Sequence, residues 1–184
     1  TAAASEAEWV QLPGACDTPD LPDDPIWQTD SYFAQDQVFA EMLDVEIDVE
    51  GAEVWAAGQG GILRFSYSDG LDLVGFEEGM GNRYYHLALG TETALYASNR
   101  DSGLSVFRRG DSLEPVTMLP QPGVSGLALS GERLYVARFG GELLTYDVSS
   151  PFAPSLLHTA DGLSVPWKPE VSDGRLYVAD NALG

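Results

Sequence analysis

Glu53-Val-Trp-Ala-Ala57, Ala94-Leu-Tyr-Ala-Ser98, Arg133-Leu-Tyr-Val-Ala137 and Arg175-Leu-Tyr-Val-Ala179 are four versions of one short strand. Their second residues, Val54, Leu95, Leu134 and Leu176, stand 41, 39 and 42 positions apart. A pattern returning at a near-constant period of this length marks a repeat architecture. Working backwards, each segment follows an alternating apolar run: Val45-Glu-Ile-Asp-Val49, Tyr85-His-Leu-Ala-Leu89, Ser125-Gly-Leu-Ala-Leu129 and Trp167-Lys-Pro-Glu-Val171. Turn residues separate the two runs, at Glu50-Gly51, Gly90-Thr91, Ser130-Gly131 and Ser172-Asp-Gly174. Such pairs read as β-hairpins. Working forwards, a glycine opens a third strand at Gly61-Ile-Leu-Arg-Phe65, Gly103-Leu-Ser-Val-Phe107 and Gly141-Glu-Leu-Leu-Thr-Tyr146. A less regular fourth strand follows at Leu71–Phe76, Glu114–Met118 and Pro154–His158.

Four short strands in about forty residues make the blade of a β-propeller. A twisted four-stranded sheet has two apolar faces, and packing blades around a ring buries both. A sandwich would not need a matched repeat at this period, and a β-helix coil would be shorter. The expected fold is therefore all-β, a propeller of antiparallel blades with about three and a half blades present. Residues 1–44 form an irregular N-terminal extension, 45–82 blade 1, 83–122 blade 2, 123–162 blade 3, and 163–184 the first half of blade 4. A closed ring has roughly four to eight blades. The expectation is thus a piece of a longer protein, or a ring whose remaining blades come from another chain.

Composition narrows the function. The 184 residues carry 29 acidic against 9 basic side chains, a net charge of −20, with 44% hydrophobic residues. That composition suits a folded acidic domain rather than a disordered tail. It argues against a nucleic-acid partner and against anionic lipid, both of which need clustered Lys and Arg. No apolar run is long enough to cross a bilayer as a helix. Cys16 is the single cysteine and has no internal disulfide partner. The extension contains Gly14–Pro25, with three prolines and four aspartates, which excludes regular helix or strand. Trp9 and Trp27 flank it, and Phe33–Leu43 suits either a short helix or an extended segment.

The stretch Leu143-Leu-Thr-Tyr-Asp-Val-Ser-Ser-Pro-Phe-Ala-Pro154 resembles the LVIVD-type repeat of bacterial surface propellers. In that repeat a third strand ends in aspartate, followed by Val-Ser and two spaced prolines. Arg175–Asp180 resembles the second strand of the same repeat. The resemblance spans roughly residues 45–184 and is clear in the third repeat. The first departs from it at Ser66-Tyr-Ser-Asp-Gly70 and the second at Arg108-Arg-Gly-Asp111. What it implies is placement outside the cytoplasm, at the cell surface, secreted or in the periplasm, often within a larger surface protein.

No nucleophile elbow, zinc-protease helix or phosphate loop is present, so no catalytic residue is assigned and no cofactor is expected. Asp17, Asp20, Asp23 and Asp24 are the candidate hard-oxygen ligands for Ca²⁺, beside the plainer reading of a solvated acidic loop. His86 and His158 read first as packed or surface residues. In a propeller the innermost strands line a central channel. Counting back three from the last apolar residue of each first strand gives Glu46, His86, Gly126 and Lys168 as equivalent channel positions. The recurring aromatics Trp55, Tyr96, Tyr135 and Tyr177 read as blade-to-blade packing. Arg109-Gly-Asp111 is an adhesion-type tripeptide in a predicted turn, with chance occurrence the plainer account.

The reading that follows is a non-enzymatic scaffold binding a protein or polysaccharide at the cell surface. Two others stand beside it. One is a propeller enzyme of hydrolase, lactonase or quinone-dependent oxidoreductase type, with its site completed by missing blades. The other is a structural subunit of an envelope assembly, docked through residues 1–44.

Overall fold

The computed structural model describes the backbone of residues 42–182 and, apart from residue 60 and residues 76–82, their side chains. By backbone contacts the chain divides into Thr1–Asp36 and Gln37–Gly184, and every described residue belongs to the second unit. The aspartates 17, 20, 23 and 24, together with Trp9, Cys16 and Trp27, lie outside the described residues.

Within the described residues all regular structure is antiparallel strand. The order is β1 (Met42–Asp48), β2 (Glu53–Ser66), β3 (Asp72–Leu89), β4 (Ala94–Asn99), β5 (Gly103–Arg109), β6 (Leu113–Leu119), β7 (Val124–Ser130), β8 (Arg133–Arg138), β9 (Glu142–Asp147), β10 (Ser155–Ala160), β11 (Pro166–Ser172) and β12 (Arg175–Asp180). β7 to β10 make one four-stranded sheet, and β11 pairs with β12 alone. The six strands β1 to β6 connect as a single run because β3 serves two blades. Its first part pairs with β2 as the outermost strand of blade 1, and its last part pairs with β4 as the innermost strand of blade 2.

β2 likewise serves as two strands. The Tyr67 N–H donates to the Ala52 carbonyl at 3.0 Å, and the Arg64 Nε donates to the Glu53 carboxylate at 2.9 Å. An uninterrupted strand would hold residues 52 and 67 about 50 Å apart. The chain therefore folds back near residues 58–60, and the two arms are the second and third strands of blade 1. The same closing bond recurs as Arg109 N–H to Thr93 O and Val148 N–H to Glu132 O. Blade 1 opens at Met42, three residues ahead of the sequence-derived boundary at 45.

The glycine opening each third strand has a steric cause. Gly61, Gly103 and Gly141 all have positive φ. A Cβ on Gly103 would lie 2.1 Å from the Leu119 carbonyl oxygen, and one on Gly141 would lie 2.5 Å from that of Leu163. At this corner the chain leaving the outer strand, or crossing to the next blade, passes against the second turn, and only glycine leaves room.

The core is a series of interblade wedges. Between blades 1 and 2 lie Trp55, Ala57, Ile62, Tyr84, Leu87, Leu95, Ala97 and Phe107. Between blades 2 and 3 lie Tyr96, Leu104, Val106, Leu127, Leu134, Val136 and their neighbours. The second-strand aromatics point toward the following blade: Trp55 and Tyr96 are fully buried, and the Tyr96 hydroxyl donates to the Pro151 carbonyl of blade 3 at 2.8 Å. Tyr177, at the same position in the last blade, is 52% exposed. On the opposite flank, Val45 and Ile47 of β1 are 54% and 58% exposed, whereas their counterparts in blade 2, Leu87 and Leu89, are buried and half-buried. The described arc thus ends in two uncovered apolar faces.

Candidate functional site

The four innermost strands, β1, the last part of β3, β7 and β11, surround a cavity of about 210 Å³. Glu46, Leu87, Ala88, Leu89, Leu127, Ala128, Leu129, Lys168, Glu170 and Val171 line it. The anticipated channel residues Glu46 and Lys168 are therefore brought together, with His86 buried one position away from the lining.

Pairing register corrects one equivalence. Trp55 pairs with Glu46, Tyr96 with Ala88, Tyr135 with Ala128 and Tyr177 with Glu170. Ala57 pairs with Asp44 and Ala179 with Lys168. Asp44, not Glu46, is thus the blade 1 counterpart of His86, Gly126 and Lys168. Glu46 sits one level along, beside Ala88, Ala128 and Glu170. The miscount has a local cause: Val49 continues the apolar alternation past the strand into the turn, where it is 76% exposed. Counting from Ile47, the last apolar residue in the strand, would have found Asp44.

Asp44 is the hub of this ring. Its Oδ1 accepts from the Lys168 ammonium at 2.9 Å, joining the first blade to the fourth. Its Oδ2 accepts from the Leu87 N–H at 2.9 Å, joining the first to the second. The Asp44 side chain is 7% exposed. Lys168 lies among three carboxylates, Asp44, Glu46 and Glu170. Burial, reinforced by the charges of Asp44 and Glu170 and opposed by Lys168, raises the Glu46 pKa.

His86 is buried, and its Nδ1 lies 2.6 Å from the Ser125 carbonyl oxygen, so that nitrogen carries the proton and donates. Burial lowers its pKa, against the opposing pull of the Ser125 carbonyl and Asp44. The Ser98 hydroxyl accepts from the His86 N–H at 2.8 Å and donates to the same Ser125 carbonyl at 3.1 Å. The Ser125 hydroxyl passes the chain onward, donating to the Pro166 carbonyl at 2.8 Å. These bonds run from blade 2 to blade 3 to blade 4, and Trp167 closes edge-on over His86 at 6.0 Å. Gly126 lets β7 and β11 touch, since a Cβ there would lie 2.2 Å from the Trp167 carbonyl oxygen.

Elsewhere, His158 is exposed on β10. Arg109 of the Arg-Gly-Asp tripeptide is not offered to a partner. Its guanidinium is bound to Asp48 of blade 1, and the Gly110 carbonyl accepts from Arg64 at 2.6 Å. Among the described residues no group of three or more His, Cys, Asp and Glu side chains is arranged to hold a metal ion, and no helix is long and apolar enough to cross a membrane.

No family model and no curated protein matches the sequence. Solved structures do match. The chain is similar to the computationally designed Ika4 protein at TM-score 0.63 and 16% identity, over 77% of this chain and 86% of that one. It is similar to a protein from Lactobacillus plantarum at TM-score 0.65 and 16% identity, over 76% and 50%. It is similar to the β-propeller domain of Myceliophteria thermophila Cps50 (Swd1) at TM-score 0.62 and 13% identity, over 77% and 49%. The chain spans most of the designed protein and about half of the two natural ones. Its fold is that of a β-propeller, built from antiparallel blades around a shared central channel.

Proposed function

We propose that this chain is part of a non-enzymatic β-propeller that acts at the cell surface or in the periplasm as a scaffold binding a protein or a polysaccharide. The observation that carries the reading is how the channel side chains are used. Asp44, Lys168, His86, Ser98 and Ser125 are committed to bonds that link one blade to another, so their chemistry goes into holding the blades. A rigid ring of this kind leaves recognition to the rims and loops. Further blades, from the same protein or from another chain, cover the Val45 and Ile47 face and the Tyr177 face.

The test is fractionation of producing cells, followed by passage of the purified protein over immobilised envelope proteins and polysaccharides. The expected result is recovery outside the cytoplasm and saturable retention without turnover. Recovery only in the cytoplasm would overturn the placement. Turnover of an ester, lactone or alcohol that is lost on Glu46→Gln would overturn the non-enzymatic reading.

A further inference from the structure

We infer that the channel mouth where the innermost strands begin binds a uronic acid residue of a sparsely charged polysaccharide. The inference rests on the reading of the propeller as a binding scaffold and names the ligand class that this rim takes.

Topology gathers this mouth from three blades. Tyr85 and Trp167 stand where the innermost strands of blades 2 and 4 begin, and Arg100 and Phe139 lie just past the ends of β4 and β8. Trp167 is the centre of the group. Its ring meets Tyr85 of blade 2 at 6.0 Å and Phe139 of blade 3 at 5.5 Å, both in edge-on contacts. The Arg83 guanidinium lies over the Tyr85 ring at 5.0 Å, and the Arg100 guanidinium lies over the Phe139 ring at 4.5 Å. Three aromatic rings, one from each of three blades, thus link two guanidinium groups. Tyr85 is buried, whereas Arg83, Phe139 and Trp167 are half-buried and Arg100 is exposed, so the group reaches the surface.

Charge makes the mouth unusual. The chain carries 29 acidic against 9 basic side chains. Arg64, Arg108, Arg109, Arg133, Arg138 and Lys168 each pair with a carboxylate. Arg100 does not: among the described residues its guanidinium makes no hydrogen bond or ion pair, even with Asp101 beside it in the chain, and rests on the Phe139 ring. Tyr84 pairs with Asn99, so Arg83 and Arg100 are the next residues outward on the two strands. Like charges placed opposite one another on an antiparallel pair repel. An anion bound at this mouth relieves that repulsion. The planar fork of a guanidinium matches a carboxylate, and the accessible parts of Phe139 and Trp167 give a sugar ring an apolar surface to rest on. The net charge of −20 repels a densely charged polyanion. The chain that fits therefore carries its carboxylates singly, spaced by neutral sugars.

The experiment titrates the ¹⁵N-labelled full chain with a tetrasaccharide of alternating glucuronate and N-acetylglucosamine. The comparison ligands are its carboxyl-reduced form and a Gly-Glu-Gly-Glu peptide. The expected result is saturable shifts at the Arg100 and Phe139 amides and the Trp167 indole, with the reduced sugar and the peptide each binding roughly tenfold or more weakly. Arg100→Gln should weaken the tetrasaccharide by a similar factor while leaving the remaining spectrum unchanged, because Arg100 is exposed and its side chain touches only the Phe139 ring. No saturable shift, undiminished binding of the reduced sugar, a peptide that binds as tightly, or full affinity in Arg100→Gln would each overturn the inference. Such a failure is distinct from failure of the scaffold reading, because retention on an immobilised envelope protein would survive it.

Discussion

Gly103 and Gly123 both have positive φ, 131° and 87°, yet they differ in what surrounds them. Gly103 faces the Leu119 carbonyl at contact distance, whereas a Cβ on Gly123 would meet nothing within 4 Å. Gly123→Ala should cost about 1 kcal/mol from backbone strain alone. Gly103→Ala adds a backbone collision and should cost about 3 kcal/mol or more. Urea midpoints of the two variants check the ordering, and equal losses would contradict it. His86 gives a second prediction. Its folded pKa lies below the ordinary value of 6.5 because burial disfavours the imidazolium. The unfolded chain therefore binds a proton first as pH falls. Stability is full above about pH 6.5 and declines as pH drops from there toward the folded pKa. Wild type should lose more stability than His86→Gln between pH 7.5 and 5, measured by denaturant unfolding. Glu46, with its pKa raised by burial, pulls the other way at lower pH in both proteins and cancels in the comparison. At this scale the repeat made the glycines and the channel histidine visible. It hid Asp44, because an exposed valine extended the strand pattern by two positions.

Strands in this molecule are tied to neighbours in the next blade as well as to their own. Arg109 at the end of β5 reaches Asp48 at the end of β1, with side chains 13% and 23% exposed. The Gly51 N–H and Arg109 together hold the Asp48 carboxyl below the usual aspartate range. A double-mutant cycle on Arg109→Met and Asp48→Asn should return a coupling of about 1–2 kcal/mol. A coupling near zero would mean that the pair contributes nothing between blades. Tyr96→Phe removes the bond to Pro151 and should cost about 1 kcal/mol. The number and order of strands were legible in the alternation and the turns, since Asp173-Gly174 and Gly131 supply the positive φ that tight hairpins demand. The continuity of β2 and β3 was not, because nothing in the local pattern distinguishes a strand that folds back or changes blades from two strands with a turn.

Across the described residues as a whole, the apolar faces run in one direction. Trp55 and Tyr96 are covered by the blade that follows, and Leu87 and Leu127 by the blade before, until the pattern stops at Val45 and Ile47 on one side and Tyr177 on the other. The two uncovered faces are complementary in kind, since the three junctions inside the chain join the same pair of surfaces. The periodicity announced this arrangement among the described residues. The most direct test is an experimental structure of the native protein that carries this chain. The account predicts four innermost strands around one channel, Asp44 bonded to Lys168, and both Tyr177 and the Val45–Ile47 face covered by further blades. Two layered sheets in place of the fan, or a finished molecule with both faces left in water, would contradict it.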